Sequence, residues 1–325
     1  MLAENGGRPT LLILRALGLG DLLTAVPALR ALADAFPYHR RVLAAPAGLA
    51  PLAALTGTVD DIVDTEPLAP LDVSLRGADV AVNLHGRGPQ SHRVLLGADP
   101  GRLFSFSHPE VPESADGPPW HAGEHEVNRW CRLLGAYGIP ADPGRLDLRP
   151  PPGRVPEGVR GATIIHPGAA SAARRWPPDR WAVVARAEAE AGRSVIVTGG
   201  VDEVNLARKV IREAGLEEPV VYAGRTNLLE LATLVAAAGR VACGDTGVAH
   251  LATALRTPSV VLFGPTPPTE WGPPPNRPWH RALWSARRGD PHAARPDPGL
   301  LAIRASDVTE ALAGLPEAVP PGVSG

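Results

Sequence analysis

The sequence predicts an α/β protein of two Rossmann-like domains, each a parallel sheet covered by helices on both faces, with the sheets facing a central cleft. Three observations predict it. Short apolar runs alternate with longer helical patterns, as expected of parallel strands joined by crossover helices. One stretch rich in Pro and Gly, residues 140–160, interrupts the alternation, which then begins again. A chain of 325 residues suits two domains of about 150 residues each better than one. The expected domains are 1–150 and 151–325, the second ending in a helix and a tail.

Residues 11–14 read as the first strand, followed by a Gly-containing turn and a helix reaching residue 36. Pro27 lacks an N–H and fits only a first helical turn, so the regular helix is expected to start near Thr24, which would cap it. Residues 41–45 and 78–84 read as strands. Residues 127–137 read as a helix with Val127, Trp130, Leu133 and Leu134 on its apolar face. Beyond the linker, 162–166, 195–198, 220–222, 240–243 and 259–263 read as strands. The stretches 179–191, 203–214, 227–238 and 246–255 read as helices. Residues 265–298, rich in Pro, Trp and Arg, predict little regular structure. A last helix covers 306–315 with Ser306 as its cap, and the tail beyond Pro316 is expected to be disordered.

The formal net charge of −2 gives no basic excess for a groove that must neutralise many phosphates, so nucleic acid is not an expected partner. No stretch approaches the roughly 20 apolar residues of a membrane span, and the first ten residues lack the apolar core of a signal peptide. A cytoplasmic protein is expected, with peripheral contact at the inner face of a membrane left open. Cys131 and Cys243 form no CxxC pair and read as buried free thiols. Among 32 Lys and Arg residues the only Lys is Lys209, so an Arg where a Lys is usual carries little meaning.

Ligands of open α/β sheets lie beyond the carboxyl ends of the strands, so the turns there matter most. The first is Arg15-Ala16-Leu17-Gly18-Leu19-Gly20-Asp21. Its glycines permit a tight turn, and Asp21 can act as a general base on a hydroxyl or simply cap its own helix. A second, Cys243-Gly244-Asp245-Thr246-Gly247-Val248-Ala249-His250, follows a strand and opens a helix. The N–H groups and dipole of that helix favour an anion, Gly247 allows close approach, and Thr246 and His250 share a side one turn apart. A diphosphate fits these donors; a capped helix with a half-buried His would also account for them. Third comes the small-residue loop His166-Pro167-Gly168-Ala169-Ala170-Ser171, ending in Arg174-Arg175-Trp176-Pro177, where an Arg can neutralise a diphosphate and Trp176 anchors the next helix. In Gly199-Gly200-Val201-Asp202-Glu203 a carboxylate can accept from ribose hydroxyls, or favour a helix start. With no HxxxH and no Asp-x-Asp, no metal is expected.

In this order the motifs resemble glycosyltransferase family 9, whose best-known members are ADP-heptose:lipopolysaccharide heptosyltransferases. The resemblance runs from about residue 11 to residue 315. Its most specific part is Gly244-Asp245-Thr246-Gly247-x-x-His250 followed by Leu262-Phe263-Gly264-Pro265-Thr266. His166-Pro167-Gly168-Ala169 with Arg174-Arg175-Trp176-Pro177 comes next, then Gly20-Asp21 with Pro27-Ala28-Leu29. It implies a GT-B fold and an inverting, metal-independent transfer of a heptose or related sugar from an ADP-sugar to an acceptor hydroxyl, without a cofactor. The N-terminal domain would bind the acceptor and the C-terminal domain the nucleotide sugar. Asp21 matches the family's proposed base. Ser171, Arg174, Asp245, Thr246, Gly247 and His250 fall at donor-binding positions, Arg174 where a Lys is usual, and Glu203 matches a ribose-contacting Glu. Asn83-Leu84-His85-Gly86 resembles a further family segment, with Asn replacing Asp. Arg15, His85, Arg87 and Arg129, with Arg93, are candidates to meet a glycan, glycolipid or small-molecule acceptor. A UDP, GDP or dTDP sugar, or a degenerate protein that binds nucleotide or glycan without turnover, would fit the same architecture.

Overall fold

The computed structural model describes residues 7–216 and 221–316. The chain divides into two compact units, Met1–Leu146 and Asp147–Gly325.

In the first unit the elements are, in order, β1 (Thr10–Leu14), α1 (Leu19–Thr24), α2 (Val26–Ala35), β2 (Arg40–Ala45), α3 (Ala50–Thr56), β3 (Asp61–Asp64), β4 (Val80–Asn83), α4 (Gln90–Leu96), β5 (Arg102–Phe104) and α5 (Glu126–Ala136). The strands form one parallel sheet in the order β3-β2-β1-β4-β5. Leu11, Leu12, Ile13 and Leu14 of the central strand are all buried, because a parallel strand covered on both faces must be apolar throughout. The sequence pattern missed β3 and β5, half-exposed or three residues long, and α3 and α4, each only seven residues long.

One expectation near the amino terminus is corrected. The helix after β1 begins at Leu19, not Thr24. Gly18 serves as its N-cap, and the Asp21 carboxylate accepts from the Gly18 N–H at 3.2 Å. Pro27, with no N–H to continue the ladder, stands in the first turn of a separate helix, α2, and the two meet at Ala25. Thr24 caps nothing; its hydroxyl donates to the Asp21 carbonyl at 3.0 Å.

The second unit contains β6 (Thr163–His166), α6 (Pro178–Glu190), β7 (Val195–Val197), α7 (Val204–Ala214), α8 (Leu228–Ala237), β8 (Arg240–Gly244), α9 (Gly247–Ala254), β9 (Ser259–Phe263), α10 (Pro268–Trp271), β10 (His280–Trp284), α11 (Pro298–Leu301) and α12 (Ala305–Ala313). Its sheet is again parallel, in the order β10-β9-β8-β6-β7. Trp176 and Trp181 meet edge to face at 4.8 Å in the core, and the Trp176 indole donates to the Ile303 carbonyl at 3.2 Å, fastening the loop after β6 to the last helices.

Here too the structure departs from the sequence reading. Residues 265–298 are not irregular: β10 runs parallel to β9 from His280 opposite Ser259 to Trp284 opposite Phe263, and α10 and α11 flank it. As the edge strand, β10 exposes Arg281 and Ala282 and so lacks an apolar run. The expected strand at 220–222 is a single parallel bridge from Val221 to Val197, with Val220 outside the described residues. Arg304, not Ser306, precedes the last helix, its N–H capped by Asp307 at 2.9 Å. The tail beyond Pro316 lies outside the described residues. Cys131 and Cys243 are free and buried. Among the described residues no helix is long and apolar enough to cross a membrane.

Candidate functional site

In the second unit the strand order reverses between β6 and β8, so their carboxyl-terminal loops lie side by side, where such sheets place ligands. The loop after β6 runs through Ser171, whose hydroxyl accepts from the Ala173 N–H at 3.3 Å and starts a short helical turn ending at Arg174. Arg174 reaches across to β8, donating to the Asp245 carbonyl at 3.1 Å with the Asp245 carboxylate 3.8 Å away. Gly244 permits this approach: a Cβ there would lie 3.1 Å from the Arg174 carbonyl oxygen.

Helix α9 then begins with Thr246 at its N-cap in extended conformation, and no side chain caps its N–H groups. The buried Thr246 hydroxyl has no nitrogen or oxygen partner; its polar neighbour is the Cys243 thiol. His250, half buried, stands one turn along α9 with its ring edge-on to Trp271 at 5.8 Å. Uncapped amides, a helix dipole, a hydroxyl, an imidazole and the Arg174 guanidinium, all on or beside the start of this helix, are the kinds of donor that an anionic ligand calls for. Asp245 is the exception. Burial pushes its pKa up to about 6 against the opposing pull of Arg174.

Glu203 ties a third loop, after β7, to the loop after β6. Its carboxylate caps the Gly200 N–H at 2.8 Å and rests where a Cβ on Gly168 would stand, 2.0 Å from Oε1. Gly168 is therefore a glycine of close approach. His166 at the end of β6 is buried, with Nδ1 3.0 Å from the Thr198 hydroxyl; burial holds its pKa down against the raising effect of Glu203, which keeps the ring neutral.

The first unit gathers a different set at its own reversal point, between β1 and β4. Asp21, with 27% of its side chain exposed, sits in the first turn of α1. Burial raises its pKa, Arg15 lowers it and Glu126 raises it, with a net rise. Across from it, Asn83 folds the next loop by accepting from the His85 and Gly86 N–H groups and donating to Ser91. His85 keeps Nδ1 buried without a hydrogen bond, and burial together with nearby Arg15 lowers its pKa to about 4, so it is neutral at pH 7. Arg87 is exposed on that loop, and Arg93 is exposed and pairs with Glu110 at 2.9 Å.

Two residues expected to meet the acceptor, Arg15 and Arg129, are buried within the unit. Arg15 is 1% exposed: its guanidinium donates to the carbonyls of Leu84 and Asp21, to Thr24 and to Glu126, and lies over Trp130. Arg129 is buried too, pairing with Glu126, donating to the Glu124 carbonyl at 2.9 Å and covering Trp120. Their charge is spent inside the unit. The sequence reading also missed Glu126, the buried carboxylate that both arginines share; at the start of a helix it reads as an ordinary acidic first-turn residue.

Comparison with known proteins gives a consistent picture. The sequence profile of glycosyltransferase family 9 (heptosyltransferase) matches residues 121–298. A lipooligosaccharide heptosyltransferase 2 from Haemophilus influenzae is 35% identical over 106 residues, 31% of this chain and 30% of that protein. Sequence matches thus span less than half the length of such curated relatives. Among solved structures, E. coli ADP-heptose lipopolysaccharide heptosyltransferase II superposes with a TM-score of 0.71 at 22% identity, over 94% of this chain and 97% of that one. An E. coli heptosyltransferase solved with ADP gives 0.70 at 17% identity, over 94% and 99%. At these identities the structures speak to the fold, which is GT-B.

Proposed function

Since the chain belongs to glycosyltransferase family 9, we propose that it transfers a heptose, or a related sugar, from an ADP-linked donor to an acceptor hydroxyl by an inverting, metal-independent displacement. The observation that carries the donor assignment is the uncapped start of α9, where the Thr246 hydroxyl has no nitrogen or oxygen partner and Arg174 donates to the carbonyl of the preceding residue, Asp245. A related E. coli heptosyltransferase has been solved with ADP, which supports the choice of nucleotide. In this reading the second unit binds the ADP-sugar and the first binds the acceptor, a glycan, glycolipid or small molecule.

The chemistry follows from the charges. Asp21 accepts the proton of the acceptor hydroxyl as that oxygen attacks the anomeric carbon from the face opposite the diphosphate. The bond from that carbon to the diphosphate oxygen breaks, and ADP leaves with both electrons. Arg174, His250 and the amides opening α9 stabilise the charge that grows on it. Glu203 accepts from a ribose hydroxyl. Near neutral pH the Asp245 carboxylate has titrated and faces Arg174, orienting it toward the ligand.

Loss of a general base costs on the order of 10²- to 10⁴-fold in rate. Asp21→Asn is therefore expected to lower ADP release from ADP-heptose, with heptose-free lipopolysaccharide as acceptor, by that factor. Stabilisation by ADP should not change. Wild-type turnover in this variant would refute the base assignment.

A further inference from the structure

The buried charges behind Asp21 form a chain that the proposed reaction does not by itself require. Glu126 opens α5 and is enclosed by donors: its Oε1 accepts from Arg15 Nη2 at 3.0 Å and from the Trp130 indole at 2.9 Å, and its Oε2 accepts from Arg129. The same Arg15 Nη2 stands 3.2 Å from the Thr24 hydroxyl and 3.5 Å from Asp21 Oδ1. Arg15 Nη2 is thus held closer to the Glu126 carboxylate than to the Asp21 carboxylate, while Arg15 Nε donates to the Asp21 carbonyl at 2.9 Å.

We propose that Glu126 is a positioning residue for Asp21: by holding the Arg15 guanidinium on its own side, it keeps Asp21 from closing a full ion pair and leaves Asp21 Oδ1 able to accept a proton. This inference rests on the reading of Asp21 as the base. An Asp locked against an arginine is a poor base, because each approach of the cation stabilises the carboxylate. An Asp beside a shared, partly neutralised arginine keeps its basicity while its orientation stays fixed.

Among the described residues of this unit, few groups face Asp21. Gly18 and Thr24 belong to its own turn, Arg15 follows β1, and Glu126 comes from α5 with Arg129 and Trp130 behind it. His85, after β4, acts on the cluster by its proximity to Arg15 and is neutral near pH 7. Burial opposes ionisation of Glu126, yet Arg15 and Arg129 hold its pKa below the usual carboxylate value, so it stays charged. Burial lifts Asp21, Arg15 lowers it, and the Glu126 charge lifts it again.

The test is a ¹³C-carboxyl NMR titration of Asp21 in the full chain, its signal assigned by its loss in Asp21→Asn. Glu126→Gln keeps the shape and removes the charge. It is expected to lower the Asp21 midpoint by about one pH unit, and Glu126→Asp to restore most of that change. The acid limb of ADP release should move the same way while the KM for ADP-heptose stays put. Thr24→Val removes only the hydroxyl sharing Arg15 Nη2 and should lower the midpoint by less, which keeps the proposal testable if Glu126→Gln folds poorly. An unmoved or raised midpoint in both variants, with Asp21→Asn inactive, would overturn this inference alone. Full turnover by Asp21→Asn would overturn it together with the base assignment.

Discussion

At Asp245 the demands of folding and of binding pull apart. Its carboxyl, 6% exposed, holds its proton up to about pH 6 in the folded chain, whereas an unfolded chain releases it near 3.8. The folded state therefore takes up the proton over that window, and stability falls as pH rises from 3.8 to about 6, then levels. Such a displacement is worth roughly 3 kcal/mol at neutral pH. Asp245→Asn should accordingly raise the thermal midpoint at pH 7.5 and do so much less at pH 4. Equal effects at the two pH values would show that the carboxylate is not strained by burial. Asp21 gives a second expectation at this scale. Its raised pKa places the acid limb of turnover above the ordinary 3.8, with activity lost as pH falls through it. The place of Thr246, Gly247 and His250 between a strand and the first turns of a helix was legible from their spacing, as was that of Asp21 beyond the first strand. Arg15, Arg129 and Glu126 were not, because a charged residue beside a helix looks the same in sequence whether it meets water or, as here, a buried partner from another element.

Elements depend on their ends. Asn227 caps α8 by accepting from the Leu229 and Glu230 N–H groups at 2.9 Å, while Glu230 caps the Asn227 N–H at 2.8 Å. Asn227→Ala should cost about 1 kcal/mol of stability, read by denaturant unfolding, and leave ADP binding unchanged. The loops after β6 and β7 meet through Gly168 and Glu203, so Gly168→Ala must push the Glu203 carboxylate aside. Its effect on ADP affinity should vanish in a Glu203→Ala background; an undiminished effect would mean that the loop backbone itself had moved. Strands with continuous apolar runs, such as β1 and β9, were readable from the sequence. The edge strand β10 was not, since Arg281 and Ala282 are exposed and break its apolar run. The early start of α1 was also hidden, because the Asp21–Gly18 cap that fixes it is a contact between two residues each of which had another plausible use.

For the molecule as a whole, two parallel sheets each place their candidate residues at the point where strand order reverses. The recurring alternation of short apolar runs and helical patterns made that architecture readable. With nucleotide binding proposed for the second unit alone, Asp21→Asn should leave ADP affinity intact, while Thr246→Val, lacking a donor to a charged oxygen, should weaken it about tenfold or more. The most direct measurement is the affinity of the wild-type chain for ADP, UDP, GDP and dTDP side by side, with ADP-heptose included, by titration calorimetry. Selective binding of ADP and ADP-heptose, lost in Thr246→Val, is the predicted result. Preference for UDP, GDP or dTDP, or ADP binding indifferent to Thr246→Val, would contradict the account.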